Sequence, residues 1–190
     1  MKNLEEEIFK YLSEHLSPKR FEHSFAVSKL AVELAAKNGE NIYSAQTAGL
    51  LHDCAKFMQG KDFLGFFKNR TKPKYFNEIK KYAPELLHGN AAAFIAKEKF
   101  AVKNKDILSA IANHTFGREN MSKLEKIIFI ADSVSEDRKY KNASKIRALA
   151  KKDLDKAFVE VLKHKIYFVI NNEKWFCAQT LDTWNFYAAK

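Results

Sequence analysis

The heptapeptide LLHDCAK at positions 50–56 sets an imidazole beside a carboxylate inside an apolar run. A carboxylate taken out of water is costly unless it is paired or bound to a metal. If a helix runs from about Tyr43 to Phe57, His52 and Asp53 project about 100° apart and can grip one cation from two sides. Two more residues of the same kind lie in apolar settings. His23 sits in RFEHSFAV and Asp132 in FIADSV. His23, His52, Asp53 and Asp132 then offer two imidazoles and two carboxylates from three helices. That donor mix suits a divalent ion such as iron, manganese or zinc, with positions left for water and substrate. His88, in PELLHGNAAA, and His114, in AIANHTFG, stand beside small residues. Either could ligate a second ion, contact phosphate, or be a helix-end histidine bonded to a nearby carbonyl. Gly89 and Gly117 allow close approach of backbone or ligand. Thr115 adds a hydroxyl and a backbone N–H for an anion. His15 and His164 have charged neighbours, Glu14 and the pair Lys163 and Lys165, and are expected at the surface.

The elements that must hold these residues read as helices. Leu4, Ile8, Leu12 and Leu16 form one stripe behind an Asn3 cap. Ser17 and Pro18 read as N-cap and first helical residue of a helix that Gly39 ends. After the 43–57 helix, regularity weakens between Gly60 and Pro84. There Phe63, Phe66, Phe67, Tyr75 and Phe76 sit in a basic segment, either a lid or a surface pinned to the core by its aromatics. Helices resume at about 89–99, 106–114, 123–136, 145–151, 154–171 and 180–189. Ser122 followed by Glu125 is a capping box that starts the helix carrying Asp132. No alternating strand, internal repeat or phosphate-binding glycine loop is present.

Composition narrows the class. The chain has 190 residues, 46% hydrophobic and 29% charged, with 6 Gly and 3 Pro. This excludes a disordered or collagen-like chain and disfavours an all-β one. Two cysteines, Cys54 and Cys177, make no disulfide framework, and Cys54 reads as a small buried apolar residue. No secretory segment and no stretch of about 18 apolar residues is seen, so a cytoplasmic protein without a membrane span is expected. The net charge of +10 would attract an anion.

The order His23, His52-Asp53, Asp132 resembles the signature of the HD superfamily of metal-dependent phosphohydrolases. The words HG at His88, HTFG at 114–117 and MSKLEKIIFIAD at 121–132, with Arg138 following, resemble its YqeK-like branch, which is similar to symmetrical diadenosine tetraphosphate hydrolases. Phe116 stands where the family word HTTG has its second threonine. The resemblance covers about residues 17–138. It implies an all-α HD-domain bundle over 1–190 as one domain, completed by helices in 145–190. It further implies that His23, His52, Asp53 and Asp132 hold one or two divalent ions, iron foremost, with manganese or cobalt as alternatives. Lys56, His88, His114, Thr115 and Arg138 would face a nucleotide polyphosphate, with Asp53, Lys56, His88 and His114 acting in catalysis. The implied reaction is metal-dependent cleavage of diadenosine tetraphosphate to two ADP. Two rivals are hydrolysis of another nucleotide (a monophosphate, a deoxynucleoside triphosphate or a cyclic nucleotide) and nucleic-acid binding by a vestigial site. The second rests on the basic pI of about 9.4 alone, so nucleic acid is not the expected partner. The oligomeric state is left open.

Overall fold

Local signals start and stop most of the helices where the sequence places them. The computed structural model describes residues 2–189, and among these it contains eleven α-helices and no strand. They are α1 (Lys2–His15), α2 (Pro18–Asn38), α3 (Ile42–Leu51), α4 (Gly60–Phe66), α5 (Phe76–Tyr82), α6 (His88–Glu98), α7 (Lys105–Asn113), α8 (Lys123–Val134), α9 (Ala143–Ala150), α10 (Leu154–Asn171) and α11 (Ala178–Ala188), with a 3-10 helix at Pro84–Leu87. Ser17 is the N-cap of α2 and Pro18 its first residue. Gly39, at φ 65°, ends that helix in the left-handed conformation. The Ser122–Glu125 capping box opens α8. α1 begins at Lys2, ahead of Asn3, so Asn3 lies inside the helix rather than capping it. Among the described residues no helix is long and apolar enough to cross a membrane.

α8 is the axis of the fold. Leu124, Ile127, Ile128, Phe129, Ile130, Ala131 and Val134 are all buried, so the helix is apolar nearly all round. It packs against α2, α3, α7, α9 and α10. The segment expected to weaken at 60–84 forms two short helices. Phe63 and Phe67 are fully buried and Phe76 nearly so, which pins it to the core.

The expected helix over 43–57 is shorter. α3 ends at Leu51, and residues 52–57 form successive turns, with Cys54 N–H donating to Leu51 O and Lys56 N–H to Asp53 O. The His52-Asp53 pair therefore hangs on a helix end. The reason lies in α3 itself. Its C-terminal carbonyls have no intrahelical partner, and the His52 ring takes one of them, bonding Gly49 O at 2.7 Å. Cys54 is fully buried, with its thiol near Ala92 O.

Gly49 also sets the α2–α3 spacing. A Cβ there would lie 2.6 Å from Ser28 Cα, whereas one on Gly65 would meet nothing within 4 Å. Gly49→Ala should lower stability by about 1–3 kcal/mol through overpacking against backbone. Gly65→Ala should be neutral or stabilising by up to about 1 kcal/mol. Thermal denaturation of the two variants checks the pair, and equal melting temperatures would contradict the close α2–α3 approach.

Candidate metal centre

Four imidazoles meet at the end of the bundle, and each has its Nδ1 tied to a protein oxygen. His52 Nδ1 bonds Gly49 O at 2.7 Å, His88 Nδ1 bonds Glu85 O at 2.8 Å, and His114 Nδ1 bonds Ile111 O at 2.8 Å. His23 lies mid-helix, where no free carbonyl is at hand, and its Nδ1 bonds the Asp137 carboxylate at 2.8 Å. Carbonyls and carboxylates only accept, so Nδ1 carries the hydrogen, and on His52, His88 and His114 Nε2 keeps its lone pair; burial opposes charge on His23, yet the bond from its Nε2 to Asp132 raises its pKa. The four Nε2 atoms point inward, toward Asp53 and Asp132.

The inward atoms are crowded in a way that only a cation or a shared proton relieves. His23 Nε2 lies 3.2 Å from Asp132 Oδ1, and His52 Nε2 lies 3.9 Å from the same oxygen and 3.7 Å from Asp53 Oδ2. Asp53 Oδ1 is 3.2 Å from His88 Nε2 and 3.4 Å from His114 Nε2, and those two nitrogens are 3.0 Å apart. His52 Nε2 and Asp53 Oδ1 are buried with no hydrogen-bond partner. Burial pushes the His52 imidazole down to about 4 and lowers His88 and His114 as well, so these rings are neutral at pH 7. Burial works against the Asp132 carboxylate, yet the Lys165 ammonium and the bond to His23 hold its pKa well below the usual range.

Two overlapping groups have ligand atoms close enough for one ion each: His23, His52 and Asp132, and His52, Asp53 and His114. The chemistry is that of a divalent metal site, with neutral imidazole nitrogen, ionised carboxylate and a second hydrogen bond fixing each ring. The site thus brings together all six of the histidines and acids singled out from the sequence. For His88 and His114 the helix-end and inward-facing readings hold together, one for each nitrogen. Thr115 Oγ1 sits 3.3 Å from both of their Nε2 atoms. Gly89 makes this approach possible, since a Cβ there would be 3.2 Å from His114 Cε1. Lys56 lies in the turn after Asp53 rather than on a helical face, and its charge is felt at His88. Arg138 reaches the cluster itself, 3.1 Å from Asp132 Oδ1 and 3.2 Å from His23 Nε2.

A cavity of about 770 Å³ opens beside Asp132, Thr115 and Arg138, with Phe168 and Trp175 on its wall. His15 is exposed, as expected. His164 is not: it is half-buried, stacked on Tyr140 at 4.0 Å, and lines this cavity. Tyr140, 24 residues away in sequence, covers the ring, which explains the misplacement. Two site residues escape sequence reading. Asp137 holds His23, and Lys165 bonds Asp132 Oδ2 at 3.2 Å. Lys165 carried a signal, since it continues the buried stripe Phe158, Val161, Leu162 of α10. Asp137, in an irregular loop, carried none.

Comparison with known proteins gives the family. The family model described as HD domain matches residues 20–137. The chain is 34% identical over 171 residues to a symmetrical bis(5'-nucleosyl)-tetraphosphatase of Halalkalibacterium halodurans, with 90% of each chain covered. It is 33% identical over 177 residues to the enzyme of that name from Staphylococcus aureus, with 92% of this chain and 89% of the other covered. Among solved structures, it is similar to a predicted HD superfamily hydrolase involved in NAD metabolism from Clostridium acetobutylicum. That chain is 36% identical, with a TM-score of 0.90 over 97% of this chain and 96% of the other.

The Asp137 bond gives a direct check on His23. Asp137→Ala should weaken metal binding about 10–100-fold, as loss of an outer hydrogen bond to a ligating ring does. His15→Ala should leave it unchanged. Titration against a competing chelator reads both, and wild-type affinity in Asp137→Ala would remove His23 from the ligand set.

Proposed function

The chain belongs to the HD domain family, and from that premise we propose that it hydrolyses diadenosine tetraphosphate symmetrically to two ADP. The observation that carries the reading is the cluster of inward ligand atoms on His23, His52, Asp53 and Asp132 beside an aromatic and basic cavity. In this reading those four residues hold a divalent ion, with iron foremost and manganese or cobalt as alternatives. A bound ion supplies Lewis acidity for water activation and for charge on the phosphoryl oxygens.

The chain's own residues carry the rest. Asp53 Oδ1, buried beside His88 and His114, is placed to take a proton from the attacking water. His88, His114 and Thr115 line the side where a phosphoryl group would meet it, and a neutral imidazole there can accept a proton at Nε2. Lys56 and Arg138 offer positive charge to the polyphosphate, Arg138 as a planar fork. A phosphoanhydride leaving group is already stable as an anion, so charge complementarity supplies much of the rate. Seating the ligand set under the middle of a four-phosphate chain makes ADP the leaving group, whereas a seat nearer one end would release AMP. The names of the Halalkalibacterium halodurans and Staphylococcus aureus relatives support the symmetrical outcome. The reading carries a cytoplasmic setting, consistent with two free buried cysteines. Nucleic acid has no part in it.

Chromatography of the products decides the reaction. With iron, manganese or cobalt present, diadenosine tetraphosphate should yield ADP alone, and labelled water should place one heavy oxygen on one of each two ADP molecules. ATP with AMP, or turnover of a nucleoside monophosphate instead, would replace this reading with another HD-family activity.

Ligand and substrate roles separate by mutation. His52→Ala should lose the metal, while His88→Ala should keep it and lose turnover by about 100-fold or more, a usual loss for an acid–base group. Elemental analysis checks both, and a halved metal content in His88→Ala would assign His88 to a second ion.

A further inference from the structure

Lys165 is the polar residue of the site that neither the ligand set nor the chain's packing explains. It extends the α10 stripe of Phe158, Val161 and Leu162, where leucine or methionine would serve the core. An ammonium there gives up much of its hydration, which is costly without full compensation. Its Nζ bonds Asp132 Oδ2 at 3.2 Å and His114 O at 3.1 Å, and it lies 4.4 Å from the centre of the Phe129 ring. An ammonium has three donors, so two are engaged. Lys165 lines the same cavity as Thr115 and Arg138.

Asp132 does not need this lysine for neutrality. Arg138 already contacts its other oxygen at 3.1 Å. The charges of both Lys56 and Arg138 reach Lys165. Along the cavity lining three side-chain cations, Arg138, Lys165 and Lys174, stand against two carboxylates, Glu85 and Asp132, before any metal is counted. A surplus of positive charge at the floor of a cavity calls for an anion on the open side.

We propose that Lys165 is a phosphate-binding residue, anchored by Asp132 and the His114 carbonyl and presenting its third donor to a phosphate oxygen of the nucleotide in the cavity. The proposal deepens the phosphoanhydride reading and rests on it for the identity of the ligand. The anchoring matters as much as the charge. A surface lysine would lose side-chain freedom on meeting a phosphate, whereas Lys165 is already fixed and loses little. It also links the two halves of the site, since the residue that receives the phosphate is the one that orients Asp132.

The test uses the full chain loaded with manganese and three variants. Lys165→Met removes charge and donors, Lys165→Gln keeps donors without charge, and Lys165→Arg keeps charge. Melting temperature and metal content are measured first. ADP affinity is then measured by calorimetry, and kcat and KM for diadenosine tetraphosphate are measured separately. The expected result for Lys165→Met is metal content within about twofold of wild type, with ADP affinity lower by about tenfold, as for one lost charge-assisted hydrogen bond. Lys165→Gln should fall nearly as far, and Lys165→Arg should recover most of the loss. Should Lys165→Met not fold, the Gln and Arg pair makes the same comparison. Wild-type ADP affinity in the folded Met or Gln variant would overturn the proposal. So would a loss confined to metal content, which would make Lys165 only a support for Asp132. If the wild type binds ADP but leaves diadenosine tetraphosphate intact, and the Met variant still loses ADP, the phosphate contact stands and the substrate assignment falls.

Discussion

The structure turns on one constraint: each imidazole of the centre is held through Nδ1, so that its Nε2 faces another Lewis base. His88 and His114 show it most sharply, with bare nitrogens 3.0 Å apart over one carboxylate oxygen. Such a cluster is electrostatically unfavourable by itself. It persists because the surrounding core fixes the rings, and it is relieved by a cation placed among them. Much of the remaining architecture can be read as what is needed to hold that arrangement in place.

Three of the four tethers use the same device. His52, His88 and His114 each bond the carbonyl three residues earlier, at Gly49, Glu85 and Ile111. Gly49 and Ile111 lie in the last turns of α3 and α7, where backbone acceptors have no helical partner, while Glu85 O also takes the His88 backbone N–H. Placing a histidine at the residue that ends each of these helices bonds its ring to a helix-end carbonyl and fixes a metal-type tautomer together. His23 cannot use the device because it sits in the middle of α2, where the carbonyls are already engaged. Its tether comes from Asp137, which Ser135 Oγ orients at 2.6 Å from the other carboxylate oxygen. Helix ends are thus brought to one place for their unpaired backbone groups, and the buried α8 delivers Asp132 among them.

This explains what sequence could and could not reveal. Helix starts and stops at Ser17-Pro18, Gly39 and Ser122–Glu125 were legible because capping is local chemistry. His23, His52, Asp53 and Asp132 were legible because charge inside an apolar run has few inexpensive explanations. The end of α3 was not, since residues 43–57 keep an apolar pattern through the break, and only the ring-to-carbonyl bond at His52 shows that the helix has stopped. His164 was misplaced because its neighbours in sequence are charged, while its neighbour in space is Tyr140. Asp137 acts on a residue 114 positions away, and Lys165 on one 33 positions away. Tertiary approach creates those roles, and no periodicity encodes them.

The segment at 60–87, irregular in sequence, gains a purpose from the same constraint. Phe63, Phe67 and Phe76 anchor it in the core, so its far end is fixed rather than mobile packing. That end supplies the Glu85 carbonyl that orients His88. It also supplies Tyr82, which stacks on Trp175 at 5.5 Å and 20° in the cavity wall. A single piece of chain therefore sets the direction of a site imidazole and part of the wall against which a nucleobase could lie. The Tyr82–Trp175 stack and the His88 ring are separated by only a 3-10 turn, a short and stiff connection. The basic charge of the segment stays on its outer face, where Lys72, Lys80 and Lys81 remain with solvent, so that the inner face can be aromatic.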